Sequence, residues 1–146
     1  MKDYNQFICP KTKKSLSLSI DESEGENIIN GALFNDECSY PIIDNIVNLC
    51  YPKILAKEET EIIRWYENNY KTYDDYLPIT FETFDVDEIA ERSRMISLLD
   101  INSNDKVLET GAGTGRDSAL IAKYLSEEGE LHVTDIYVEI LEISKK

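Results

Sequence analysis

Val107-Leu108-Glu109-Thr110-Gly111-Ala112-Gly113-Thr114-Gly115 runs a short apolar strand straight into three alternating glycines. Glycine there lets the chain take left-handed turns and lets a ligand touch bare backbone N–H groups. Downstream, Asp117 to Glu128 carries apolar residues at helical spacing, with Gly129 placed as a C-terminal cap. The positive end of that helix would face the loop. Leu131-His132-Val133-Thr134-Asp135 reads as a second strand, and Val138 to Lys146 begins a second helix. This alternation predicts a right-handed parallel βα unit over 105–146.

A dinucleotide fingerprint, G-x-G-x-x-G, would need glycine at position 116, where this chain has Arg116. The pattern is instead E-x-G-x-G-x-G, starting at Glu109. That spacing resembles motif I of the class I S-adenosylmethionine-dependent methyltransferases. In that family an acidic residue two before the first glycine orients the loop and the ligand's charged end, a place Glu109 occupies. Asp135 ends the next strand, 20 residues beyond Gly115, where a carboxylate can accept from both ribose hydroxyls. Ile136 and the residues after it resemble the family's strand-to-helix continuation. The resemblance implies a Rossmann-like α/β fold with S-adenosylmethionine as cofactor. It implies a cofactor site of Glu109, Gly111, Ala112, Gly113, Thr114, Gly115, Asp135 and Ile136. The methyl acceptor and the catalytic residues stay unknown. Arg116 would pair with the cofactor carboxylate or with Asp117.

Residues 53–104 read as a helical lid or linker. Lys57 to Asn68 sets Ile62, Ile63, Tyr66 and Tyr70 at helical spacing. Pro78 should stop any helix in the aromatic stretch that follows. Asp85-Val86-Asp87-Glu88 offers an Asp N-cap with Glu three residues later. The helix it opens would bury Ile89, Ile96 and Leu99 and end near Asn102. In similar methyltransferases this region covers the cofactor, which implies contact by one or two of Tyr66, Tyr70, Tyr73 and Tyr76.

Residues 1–52 form a small β-rich module. Ser15 to Ile20 alternates as a half-buried strand does, a loop spans Asp21 to Asn27, and Ile28 to Phe34 follows. Tyr40 to Leu49 repeats the strand–turn–strand pattern. Phe7-Ile8-Cys9-Pro10 and Tyr40-Pro41-Ile42-Ile43-Asp44-Asn45-Ile46 resemble the opening and closing motifs of zinc-ribbon-like domains that accompany methyltransferases. Structural zinc needs about four Cys or His ligands, usually in C-x2-C pairs. Thr12 and Asn35 stand where partners of Cys9 and Cys38 should be, so no metal is expected. Cys9, Cys38 and Cys50 read as small buried hydrophobes. His132, the only histidine, reads as a packing or surface residue.

The 146 residues are 42% hydrophobic and 30% charged, which excludes wholesale disorder and fibrous repeats. No apolar run approaches the roughly 18–20 residues that cross a bilayer, and no basic, apolar leader opens the chain. A cytoplasmic location is the expectation, and three widely spaced cysteines agree with it. The net charge of −14 is spread along the whole chain, which argues against direct nucleic-acid binding and favours solubility. The chain carries only the first two strands of the methyltransferase sheet. It therefore resembles the front part of a truncated enzyme, inactive alone. The other reading is a non-catalytic activator module for a partner methyltransferase. An open sheet edge and half-covered helices predict a homodimer.

Overall fold

Turn chemistry and alternation lay out an antiparallel meander in the first of two units, Met1–Lys57 and Glu58–Lys146. The structure is a computed structural model, and it describes residues 4–144 except the side chains of Glu67, Lys71, Tyr73 and Ser144. Strands β1 (Ser17–Glu24), β2 (Asn27–Phe34), β3 (Ser39–Ile43) and β4 (Ile46–Val47) pair in chain order. β1 runs through most of the span expected to be a loop, and only Gly25 and Glu26 turn the chain. Gly25, at φ 61°, supplies the left-handed step that a two-residue hairpin demands. Asp44 and Asn45 do the same between β3 and β4, at φ 47° and 65°. The Asn45 side chain accepts from the Ile28 N–H at 2.7 Å, fixing that turn to β2. Leu33, Tyr40 and Ile42 fill the core, with Cys9 fully buried against them.

Two turns carry Cys9 and Cys38. The Thr12 N–H donates to Cys9 Sγ at 3.4 Å, and the Cys38 N–H donates to Asn35 Oδ1 at 3.0 Å. The turns are joined by the Asn35 side-chain amide, which donates to Thr12 Oγ1 at 3.3 Å. Tyr40 Oη lies 3.3 Å from Cys9 Sγ. All three cysteines are free thiols, Cys9 buried and the other two half-buried. Among the described residues no group of three or more His, Cys, Asp or Glu could hold a metal ion.

The second unit opens on α1 (Lys57–Thr83), a single 27-residue helix with Glu58 and Glu59 in its first turn, where acids complement the dipole. It does not stop at Pro78, as the sequence led us to expect. Proline removes one backbone N–H and frees one carbonyl, a loss a long helix survives when that carbonyl finds another donor. α1 ends in a Schellman turn. Asp85, at φ 54°, donates its N–H to Glu82 O at 3.0 Å, and Val86 donates to Phe81 O at 3.1 Å. The cap of α2 (Glu88–Ser97) is therefore Asp87 and not Asp85: Asp87 Oδ1 accepts from the Ala90 N–H at 2.8 Å. Of the three residues expected to be buried on α2, only Ile96 is; Ile89 and Leu99 are exposed.

β5 (Lys106–Thr110) and β6 (Glu130–Thr134) pair in parallel across α3 (Arg116–Ile121), and α4 (Val138–Ser144) follows. α3 is shorter than the expected Asp117–Glu128 helix; beyond Ala122 the bonds tighten to Lys123 N–H on Leu120 O and Tyr124 N–H on Ile121 O. Gly129 is no helix cap. A Cβ there would meet Ser103 O at 2.5 Å, so glycine is needed to let the strand start pass the 103 loop. Ile96, Leu120 and Ile121 form the core here, with Val107 and Leu131 packed on it. Among the described residues no helix is long and apolar enough to cross a membrane.

Candidate functional site

The parallel register brings Glu109 opposite Val133 and Thr110 opposite Thr134, so both strands deliver their next residues to one edge. β5 then enters the glycine loop. Gly111, Gly113 and Gly115 all take positive φ, at 68°, 56° and 86°. A Cβ added to Gly111 or Gly113 would touch nothing within 4 Å. The backbone conformation requires glycine there, and the space beside it is open. Ala112 donates its N–H to Thr134 O and Gly115 donates to Ala112 O, both at 3.1 Å, which folds the loop back onto the end of β6.

Asp135 ties the two loops together. Its Oδ2 accepts from the Gly113 N–H and its Oδ1 from the Tyr137 N–H, each at 2.9 Å. An ionised carboxylate has about four lone-pair positions, so two remain for hydroxyl donors. Ile136 follows, exposed, and Tyr137 is buried. On the strand side, Glu109 Oε2 accepts from Ser118 Oγ, and Thr134 Oγ1 donates to the Glu109 main-chain carbonyl at 3.0 Å. Burial raises the Glu109 carboxyl above its ordinary value; the Ser118 bond opposes that, and the charge of Asp117 adds to it. The eight residues expected to hold a cofactor thus lie on one β5–loop–β6 edge. Open space and two carboxyl side chains sit beside backbone that carries no side chain at Gly111 and Gly113, which suits a ligand with a cationic end and a diol.

Arg116 departs from the second of its two expected pairings. It pairs not with Asp117 but with Asp74 and Glu88, its Nη1 lying 2.8 Å and 2.9 Å from the two Glu88 carboxylate oxygens. Asp117 is taken by Arg92, whose Nη1 lies 2.9 Å from both of its oxygens. Arg92 Nε also donates to Glu88 Oε1 at 2.8 Å. Both guanidiniums are held above their ordinary range, burial being outweighed by these carboxylates. Thr114 Oγ1 donates to Asp74 Oδ1 at 2.8 Å. Of the tyrosines, Tyr70 stacks edge-on against Tyr137, with centroids 5.8 Å apart. Tyr66 packs on Trp65, Tyr76 is exposed, and the Tyr73 side chain lies outside the described residues. His132 Nε2 sits 3.0 Å from Glu130, away from the glycine loop.

Sequence reasoning missed Asp74, Glu88, Arg92, Ser118 and Tyr137. Ser118 follows Glu109 by nine positions, with no motif to join them. Asp74 is one of two adjacent acids in a stretch whose helix had been discounted because of Pro78.

A family model described as protein-L-isoaspartate(D-aspartate) O-methyltransferase (PCMT) matches residues 56–146, the span that holds α1 through α4. No curated protein and no solved structure matches the chain. The chain belongs to this family of methyltransferases, which use S-adenosylmethionine as methyl donor.

Proposed function

From that membership we propose that the β5–loop–β6 edge is the S-adenosylmethionine site of a Rossmann-like methyltransferase domain. The carrying observation is Asp135, whose carboxylate bonds the N–H of Gly113, a glycine beside which a Cβ would meet nothing within 4 Å. Glu109 faces the cationic end of the methionine part, and Gly111, Ala112, Gly113, Thr114 and Gly115 seat it on bare backbone. Asp135 accepts from the ribose hydroxyls, with Ile136 beside it. When bound, S-adenosylmethionine supplies a sulfonium methyl that passes to an acceptor lone pair while sulfur keeps the bonding electrons. The residues of this chain bind and orient; their contribution is position rather than proton transfer. The acceptor to try first is a carboxylate oxygen, the one the family's description implies, followed by N, S and C nucleophiles.

The N-terminal unit fits a zinc-ribbon-like module in which Thr12 and Asn35 replace two ligands with hydrogen bonds. Titration calorimetry of the protein with S-adenosylhomocysteine tests the cofactor reading. Saturable one-to-one binding, competed by S-adenosylmethionine and not by NAD, supports it; no binding overturns it.

A further inference from the structure

Pro78 frees a particular carbonyl. In a helix the N–H of residue 78 would bond the carbonyl of residue 74, and proline has no N–H to give. That carbonyl, Asp74 O, instead accepts from Arg116 Nη2 at 3.2 Å. The Asp74 side chain adds a second acceptor on the same guanidinium, Oδ1 to Nε at 3.1 Å. Asp74 Oδ1 also takes the Thr114 hydroxyl. One residue of α1 thus grips both the glycine loop and the first residue of α3, by side chain and main chain together.

The loop needs such a grip. Gly111 and Gly113 hold positive φ beside open space, and Thr114 is the only side chain able to hydrogen-bond between Gly111 and Gly115. Asp135 fixes the loop from the β6 side, through Gly113. Asp74 fixes it from the α1 side, through Thr114. A few residues on, Glu88 and Arg92 extend the same alternation of charge to Asp117, and Arg92 lies 5.6 Å over the Phe81 ring of α1. These contacts, with Tyr70 on Tyr137, hold the second half of α1.

We infer that α1 is a clasp on the glycine loop, closed by Asp74 through two acceptors, and that Pro78 is a positioning residue that keeps the main-chain acceptor open for Arg116. The inference rests on the cofactor reading above and adds that clasp and cofactor are linked. A loop already held in its binding conformation spares the ligand the ordering cost, and the ligand in turn stabilises the closed clasp.

Pro78→Ala separates this from an ordinary structural role. Alanine is the far better helix former, so a proline that merely interrupts α1 would, when replaced, leave binding unchanged or improve it. The clasp demands the opposite. The new N–H competes for Asp74 O, and S-adenosylhomocysteine should bind about tenfold more weakly, a typical coupling between linked elements, while helicity by circular dichroism holds or rises. Arg116→Lys, which takes the guanidinium from both acceptors, and Asp74→Asn, which takes the charge from the side-chain acceptor, should weaken binding to a similar degree. Pro78→Ala combined with Arg116→Lys should weaken it no further than either alone. Wild-type affinity in Pro78→Ala, or fully additive losses in the double variant, overturns the clasp. If Asp135→Ala loses binding while Asp74→Asn and Arg116→Lys keep it, the cofactor site stands and the clasp falls. No binding by the wild type overturns both.

Discussion

Asp135→Ala should damage stability and binding by separable amounts. The Asp135 carboxylate accepts from the Gly113 and Tyr137 N–H groups. A hydrogen bond to a charged group contributes about 1.5–3 kcal/mol, and an N-cap-like bond about 1 kcal/mol. Water can reach this half-buried edge and rescue part of both. The folded unit should therefore lose about 2–3 kcal/mol, roughly a quarter of the stability of a domain at the middle of the ordinary range. Urea unfolding followed by the fluorescence of Trp65, the only tryptophan, reads that loss directly. On the proposed cofactor reading binding falls further, because two ribose hydroxyls would lose a charged acceptor; calorimetry with S-adenosylhomocysteine should show tenfold or greater weakening, about 1.4 kcal/mol or more. Asp135→Asn distinguishes the two effects. Its carbonyl keeps one acceptor while its amide faces the other N–H, so it should restore part of the stability and little of the affinity. A stability change below about 0.5 kcal/mol, the level of an ordinary surface substitution, would refute the bonding pattern. Full stability loss with unchanged affinity would make Asp135 a strut and not a ligand contact.

Glu109 has a carboxyl raised by burial, so the folded state holds its proton more tightly than the unfolded chain. That contribution to stability is greatest in acid and falls as pH climbs from the unfolded value through the folded one. Glu109→Gln should flatten that fall and be the more stable protein at pH 7, yet bind cofactor less well; equal or lower stability in urea at neutral pH would contradict it. Protein purified without chelator should contain no stoichiometric zinc by elemental analysis, because Cys9 and Cys38 alone do not close a tetrahedral site. The double variant Thr12→Cys, Asn35→Cys should take up one equivalent. Chromatography with light scattering should give a dimer or larger assembly at high micromolar concentration. β5 pairs only with β6 among the described residues, and Leu108 on it is 65% exposed; a monomer of 16.8 kDa would exclude association through that edge.

What was legible in the sequence shared one property: its signal is local and periodic. The glycine spacing after Glu109 and the strand–turn–strand pattern from Tyr40 to Leu49 each depend on residues a few positions apart. Backbone geometry turns such spacing into structure without help from elsewhere. Gly129 shows the limit. Its place after an apolar helix looked like a cap, but the demand comes from Ser103, 26 residues away, whose carbonyl leaves no room for a Cβ. Asp85 and Asp87 show a milder form. Both are good cap residues, and the choice fell to the left-handed backbone that α1 needs to end.

Pro78 is the instructive failure, because the rule applied to it was sound. A proline inside a helix costs about 3 kcal/mol when the freed carbonyl and the ring clash go uncompensated. Compensation here comes from Arg116, 42 positions from Asp74 and on a different helix. No window along the chain could have joined them. The Asp117 alternative for Arg116 fails for the same reason: Asp117 beside it is the nearest acid in sequence, while in space that acid belongs to Arg92. Charges in this unit sort by geometry into the alternation Asp74–Arg116–Glu88–Arg92–Asp117, with Glu88 the most buried of the five. A carboxylate so enclosed depends on the guanidiniums that face it, so removing either should leave a buried charge only partly compensated. The order of losses follows from that. Arg92→Ala strands Glu88 partly and Asp117 little, since Asp117 is well exposed, whereas Arg116→Ala strands Glu88 partly and, besides it, the Asp74 carboxylate and the carbonyl freed by Pro78. Thermal unfolding should therefore rank Arg116→Ala below Arg92→Ala in midpoint, and the reverse order would mean the alternation is not what holds α1 to the glycine loop.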